Sequence, residues 1–297
     1  MDADAILDRR RLKRRLVIWR SIAALAVMAL IAVGVGKYIS YGETHVARLS
    51  INGFISEDIE RGEAIDKLVS RDDVEAVIVR INSPGGTTAG SEQIYHALRR
   101  VAKKKPVVAV IGTIGTSGGY IVAIAADHIV AMETSLTGSI GVLFQTAEFT
   151  GLMEKLGIKP FTLKSSPLKG QPSPVETVTE EVRVAMQALL KDSYEWFTEL
   201  VQKRRDFNSA ELHRATDGRV FSGRQAIKLR LIDALGGERT ARRWLTDEHG
   251  ISADLPTLEV RWGEKSGLVA RTLDTVSGKL FKNERLTLDG LLSVWQP

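Results

Sequence analysis

Along this chain apolar positions follow two rhythms that trade places repeatedly, with glycine or proline at many of the changeovers. Residues 46–51 alternate, residues 74–81 and 107–111 are continuous apolar runs, and residues 127–132 hold a shorter one. These predict strands, the continuous runs being the kind buried on both faces of a parallel sheet. Residues 57–69 and 89–103 carry helical spacing, the second with Ile94, Leu98 and Val101 on one side. Asn82-Ser83-Pro84-Gly85-Gly86 and residues 112–120 read as turns from strand into helix. Thr137-Gly138-Ser139-Ile140-Gly141-Val142 reads as another turn, entering an apolar segment. Further on, the pattern predicts a helix over 149–156 closed by Gly157, a long amphipathic helix from Thr179 to about Arg205, and short helices over 210–215 and 221–228. Three prolines in residues 165–174 exclude helix there. Repeated strand, turn and helix predict an α/β domain over residues 45–240 with right-handed crossovers, its glycine turns gathered at the carboxyl ends of the strands. Beyond about residue 250 the pattern weakens, so residues 241–297 are read as a C-terminal extension.

The N-terminal region has a different pattern. Residues 21–36 carry no charge and lie within a longer span, 16–39, broken only by Arg20 and Lys37. A membrane helix needs roughly 20 apolar residues, and cations near its ends can snorkel to the headgroups. A single transmembrane anchor over 16–39 is predicted, with Tyr38 and Tyr41 as interfacial residues. Residues 1–20 hold seven basic side chains against three acids, a net +4 of the chain's +5. The basic residues 1–15 should therefore stay in the cytoplasm and residues from 42 onward should be exported. A cleaved signal peptide is the rival, but the region is long for one and no A-x-A pattern follows it. With the remainder nearly neutral, a general nucleic-acid footprint is excluded. The absence of cysteine excludes disulfides, thiolate metal sites and a cysteine nucleophile, and leaves the compartment open.

The candidate chemistry centres on Ser117, which follows an apolar strand and a glycine-rich turn and precedes an apolar helix. Its neighbours' N–H groups face the opening of that helix, where backbone donors have no intrahelical acceptor. A serine nucleophile needs a base. None of the five histidines falls in a glycine- or proline-rich turn, so each reads as a surface or satisfied buried residue. A neutral lysine is the alternative, provided burial brings its pKa from about 10.4 to near 7. Lys169, in the proline-bounded and mostly uncharged stretch 165–172, is the candidate, with Lys164 its competitor. Gly85 and Gly86 could aim a backbone N–H into the same crevice, which with the N–H of Gly118 makes the paired donors an acyl-transfer oxyanion requires. The sequence Gly115-Thr116-Ser117-Gly118-Gly119 also matches the serine turn of trypsin-like proteases, but the helix after it and the lack of suitable upstream histidine and aspartate oppose that fold. No Gly-Lys-Ser/Thr follows, which opposes a phosphate loop.

Taken in order, Asn82 to Gly86, Thr116-Ser117-Gly118-Gly119-Tyr120, Thr137 to Gly141 and a lysine ahead of Ser/Pro-rich sequence closely resemble the signal peptide peptidase A family in its short, single-repeat bacterial form. The resemblance covers about residues 45–240 together with the anchor. It implies a Clp-protease or crotonase-like α/β fold with repeated β-β-α units, preceded by the transmembrane helix. It also implies a Ser/Lys dyad: Ser117 as nucleophile, Lys169 as general base, Ser139 orienting the lysine, and Gly86 and Gly118 forming the oxyanion hole. No metal or cofactor is implied. The implied partners are remnant signal peptides, other unfolded chains, the membrane and further copies of this chain. Those copies would form a ring, an octamer for a short form, with serine and lysine contributed by adjacent subunits. The implied location is the bacterial inner membrane, catalytic domain outside the cytoplasm. Gly115-Thr116 ahead of the serine, where the family often has alanine, leaves the chemistry intact; Gly170 after the lysine, where the family often has Ser or Asp, allows a differently shaped loop. Two other classes stand as alternatives: an inactive membrane scaffold of the same fold, and a crotonase-like acyl-CoA enzyme, which would need a catalytic carboxylate and no Ser117.

Overall fold

A computed structural model describes residues 15–28, residues 43–263 and the backbone of residues 292–294. The chain divides into two compact units, residues 1–44 and residues 45–297. In the first, residues 15–28 form an α-helix, α1, with all its side chains exposed, Trp19 and Val17 among them. Among the described residues no helix is long and apolar enough to cross a membrane. Residues 29–42, which include the second half of the predicted anchor, 29–39, lie outside the described residues.

The second unit is built on a mostly parallel sheet. Strands β1 (His45–Ile55), β2 (Val74–Thr87) and β3 (Val107–Thr116) lie side by side in parallel. The first half of β3 continues to β4 (His128–Ala131), and its last residues pair instead with β5 (Leu136–Gly138). The continuous apolar runs have a direct explanation in the packing. Val77, Val79, Ile81, Val107, Ala109 and Ile111 face one core, while Ala76, Ile78, Val108 and Val110 face a second on the opposite side. Alternate side chains of a strand point to opposite faces, so a sheet covered on both sides needs apolar residues at every position.

Helices α2 (Ile59–Lys67), α3 (Thr88–Val101) and α4 (Gly118–Ala123) cover the first face. Thr87 caps α3 by accepting from the Gly90 N–H, and Ile94, Leu98 and Val101 are its fully buried stripe, each worth roughly 1.5–3 kcal/mol of apolar transfer. The connection after β5 holds a short helix, α5 (Thr150–Lys155), and an exposed loop with a cis Gln171–Pro172 bond. It leads to α6 (Glu180–Arg205), capped by Thr179 as its sequence predicts. The second half of α6 packs in the first core through Phe197 and Val201, while nearer its start Val182 is buried and Val184 and Leu189 are exposed. After it come α7 (Ser209–Ala215), β6 (Val220–Ser222), α8 (Gly223–Lys228) and β7 (Ala234–Leu235).

Several elements depart from the sequence expectation: residues 112–116, read as turn, complete β3, and residues 221–222, read as helix, belong to β6. Residues 82–86 do not break the chain: β2 runs through them to Thr87, with Phe54 and Ile55 of β1 opposite Gly85 and Gly86. Pro84 is tolerated because the β2–β3 register shifts between Ile81 and Ser83, so no ladder donor is demanded of it. Beyond residue 240, the helix α9 (Glu238–His249) buries Ala241 and Leu245 in the second core, and β8 (Thr257–Glu259) adds to β1. Residues 241–259 thus belong to the sheet's own layers.

Tyr120 ties the first face to the later helices. It is fully buried, its hydroxyl donates to the Leu231 carbonyl at 2.8 Å, and burial pushes its phenol up. Tyr120→Phe should leave that carbonyl unsatisfied and lower stability by about 1–2 kcal/mol, read from urea unfolding, at unchanged denaturant slope.

Candidate active site

The turn after β3 carries the sharpest backbone feature of the site. Ser117 has φ 54° and ψ −117°, a region non-glycine residues avoid, and it is the N-cap of α4. The arrangement, Gly-x-Ser-x-Gly across strand, tight turn and helix, is that of a nucleophile elbow, in which strain holds the hydroxyl out from the backbone. Gly119 is required by a close approach: a Cβ there would lie 2.8 Å from the Ser83 carbonyl oxygen. Ser117 is 1% exposed, its N–H donates to the Gly138 carbonyl at 2.8 Å, and its Oγ lies 3.5 Å from the Gly141 carbonyl.

Sheet register brings Ser139 alongside. Gly115 pairs with Thr137 and Thr116 with Gly138, so the next positions along the two strands are Ser117 and Ser139. Both have positive φ, 51° at Ser139, which is buried and donates its N–H to the Arg219 carbonyl at 2.8 Å. On the other side lies the end of β2. Thr116 Oγ1 donates to the Pro84 carbonyl at 3.1 Å, closing the gap between the serine turn and the glycine pair. Gly86 is opposite Ile55, and a Cβ on it would sit 1.9 Å from the Ile55 carbonyl oxygen, so no other residue fits. Gly118 opens α4, where its N–H has no intrahelical acceptor.

Three hydroxyls that the sequence did not single out hold this frame. Ser83, fully buried, donates to the Gly53 carbonyl at 2.6 Å and accepts from the Gly85 N–H at 3.1 Å. Thr137 Oγ1 donates to the Gly115 carbonyl at 2.9 Å, and Thr116 makes the bond already described. Their only signal in the sequence is position inside the glycine-bearing segments.

The two lysines have different surroundings. Lys164 forms an ion pair with Glu176, and the Lys164 ammonium holds that carboxyl below the usual range. Lys169 stands in the exposed loop, its N–H donating to the Ser166 carbonyl at 3.1 Å, and among the described residues its ammonium makes no hydrogen bond or ion pair. Ser117, Ser139, Gly86 and Gly118 are thus gathered at one end of the sheet, and Lys169 is not joined to them by any such contact. Two histidines lie at the opposite, amino-terminal end of the strands: His45 is opposite Val74, and His128 is opposite Val108 and stacks on Trp244. Among the described residues no group of acids and histidines could hold a metal ion.

Comparison with known proteins bears on what this arrangement does. A candidate protease of Synechocystis sp. is 36% identical over 72% of this chain and 78% of its own length. A chloroplastic serine protease SPPA of Arabidopsis thaliana is 31% identical over 73% of this chain and 32% of its own. A solved ClpP1 mutant from Listeria monocytogenes superposes with a TM-score of 0.43 at 15% identity, over 65% of this chain and 92% of that one. The description of peptidase family S49 matches residues 99–252, which include the serine turn, β5 and the lysine loop. The chain belongs to peptidase family S49, the signal peptide peptidase A family of serine-type peptidases.

Proposed function

We propose that this serine-type peptidase is a membrane-anchored endopeptidase that uses a Ser117/Lys169 dyad on remnant signal peptides and other unfolded chains. The observation that carries the reading is the buried, positive-φ Ser117 placed between Ser139 on one side and the Gly86 segment on the other. Neutral Lys169 takes the Ser117 proton as Oγ attacks the peptide carbonyl, and the N–H groups of Gly86 and Gly118 receive the oxyanion. The C–N bond then breaks, the lysine returns its proton to the leaving amine, and water, activated by the same lysine, hydrolyses the acyl-enzyme. Ser139 holds the amine toward Ser117.

A lysine serves as a neutral base only where burial or a neighbouring cation disfavours its ammonium, and the Lys169 side chain stands exposed. We assign that burial to a neighbouring copy of the chain in a ring. The loop around Lys169 and the start of α6 support this by leaving Phe161, Leu163, Leu156 and Val184 more than half exposed, an apolar surface that a monomer in water does not favour. Lys164, committed to Glu176, is the poorer base. The apolar, basic-flanked residues 16–39 would anchor the ring in the bacterial inner membrane, with the catalytic domain outside the cytoplasm.

Lys169→Ala is expected to lower kcat for an unstructured peptide by at least about 10³-fold and to abolish labelling of Ser117 by a phosphonylating probe. Lys164→Ala should retain both. Turnover by purified Lys169→Ala would sink the lysine assignment. An unsubstituted protein whose Ser117 is not labelled and which hydrolyses no peptide would favour the inactive scaffold.

A further inference from the structure

Arg61 is a cation placed against local preference. It stands in the first turn of α2, at the positive end of the helix dipole, and only 8% of its surface is exposed. Burial lowers its pKa, its Nε is buried without a hydrogen-bond partner, and among the described residues it forms no ion pair. Asp58, whose charge acts on it, instead caps the helix: its carboxylate accepts from the Arg61 N–H at 3.0 Å and from Trp262 Nε1 at 3.1 Å. Neither helix formation nor charge pairing accounts for an arginine here, and a buried cation without a partner costs stability.

The contact that the guanidinium does make is with the main chain: its Nη2 donates to the Ser56 carbonyl. Ser56 follows directly on Ile55, whose backbone occupies the space a Cβ on Gly86 would need. Gly90 of α3 approaches the same peptide, since a Cβ there would lie 2.6 Å from the Ser56 carbonyl carbon. The end of β1 is thus held between α2 and α3, one residue beyond the level of Gly86.

We propose that Arg61 is a positioning residue for peptide hydrolysis: its guanidinium fixes the end of β1, and β1 in turn fixes Gly86, the proposed oxyanion donor. Such a donor acts fully only when it is aimed before the reaction begins, and a misplacement of about 1 Å costs about 10²-fold in rate. The effect on catalysis rests on the peptidase reading above; the grip on β1 does not.

Arg61→Met keeps a long side chain while removing the charge and the donor. A residue that only stabilised the fold would lower stability on this change, whereas loss of an unpaired buried cation should leave the urea midpoint unchanged or raise it. In the same variant kcat for an unstructured peptide should fall about 10- to 100-fold with KM within twofold. Affinity for a peptide aldehyde, which forms a tetrahedral adduct on Ser117, should fall by the same factor as kcat. In a Ser117→Ala background, Arg61→Met should speed hydrogen–deuterium exchange of segments 53–57 and 84–88 at least about fivefold, with the rest of the β1–β3 core unchanged. Arg61→Lys, which can still donate to the Ser56 carbonyl, should keep kcat within about threefold. Wild-type kcat and aldehyde affinity in folded Arg61→Met overturn the proposal, and so does unchanged exchange in the two segments. If Arg61→Met fails to fold while Arg61→Lys is fully active, Arg61 is a structural residue and the proposal is equally overturned. An unsubstituted chain that hydrolyses nothing refutes the peptidase reading instead, while the exchange result still decides whether Arg61 holds β1.

Discussion

Ser117→Ala is expected to lower peptide hydrolysis by at least about 10⁴-fold while leaving the fold intact. The hydroxyl is the only group removed, and its Oγ approaches the Gly141 carbonyl at 3.5 Å, too long to be a strong structural bond. The backbone makes a second substitution more informative. At φ 54° and ψ −117°, Ser117 pays for its position with strain of about 1–3 kcal/mol, which alanine keeps and glycine relieves. Ser117→Gly should therefore be as inactive as Ser117→Ala but more stable than it, by about 1 kcal/mol in urea unfolding. Equal stability of the two would mean the turn relaxes in solution and the elbow is not strained. Residual hydrolysis within tenfold of wild type would move the nucleophile elsewhere.

Gly86→Ala should be the most disruptive single-methyl change in the site. The added Cβ would lie 1.9 Å from the carbonyl oxygen of Ile55 and 2.5 Å from its N and C atoms, all backbone atoms of a paired strand. Nothing flexible can yield, so β1 and β2 must part where they align the proposed oxyanion donor. A loss of about 3 kcal/mol or more is expected, with kcat reduced about 10²–10³-fold at temperatures where the protein stays folded. Gly112→Ala is the comparison, because its Cβ would meet nothing closer than 3.4 Å. It should cost less than about 1 kcal/mol and leave kcat within twofold. Wild-type kcat in folded Gly86→Ala would remove Gly86 from the oxyanion hole.

Much of the domain was legible because it follows from local pattern. The runs over 74–81 and 107–111 needed two cores, and the sheet supplies one on each face. Thr179 ahead of Glu180 and Glu181 marked the start of α6, where its side chain accepts from the Val182 N–H. The glycines around Ser117 and the order of the four motifs pointed to the family that the comparisons bear out. Other features were hidden for definite reasons. Pro84 and two glycines read as a break, yet a shift in strand register lets β2 pass through them. Residues 241–259 looked like an extension because α9 is polar on most of its surface and buries only Ala241 and Leu245, while a three-residue strand such as β8 has too few positions to display a period.

The sequence by itself determined the α/β layering, the serine turn and its glycines, since each depends on residues adjacent along the chain or on one repeating period. Only the tertiary structure decided that Ser139 stands level with Ser117, that Gly86 is locked against Ile55, and that residues 292–294 share an edge with the glycine pair. Those are pairings between segments about 20 to 200 residues apart. Their register is set by how whole strands pack, and no local pattern encodes it.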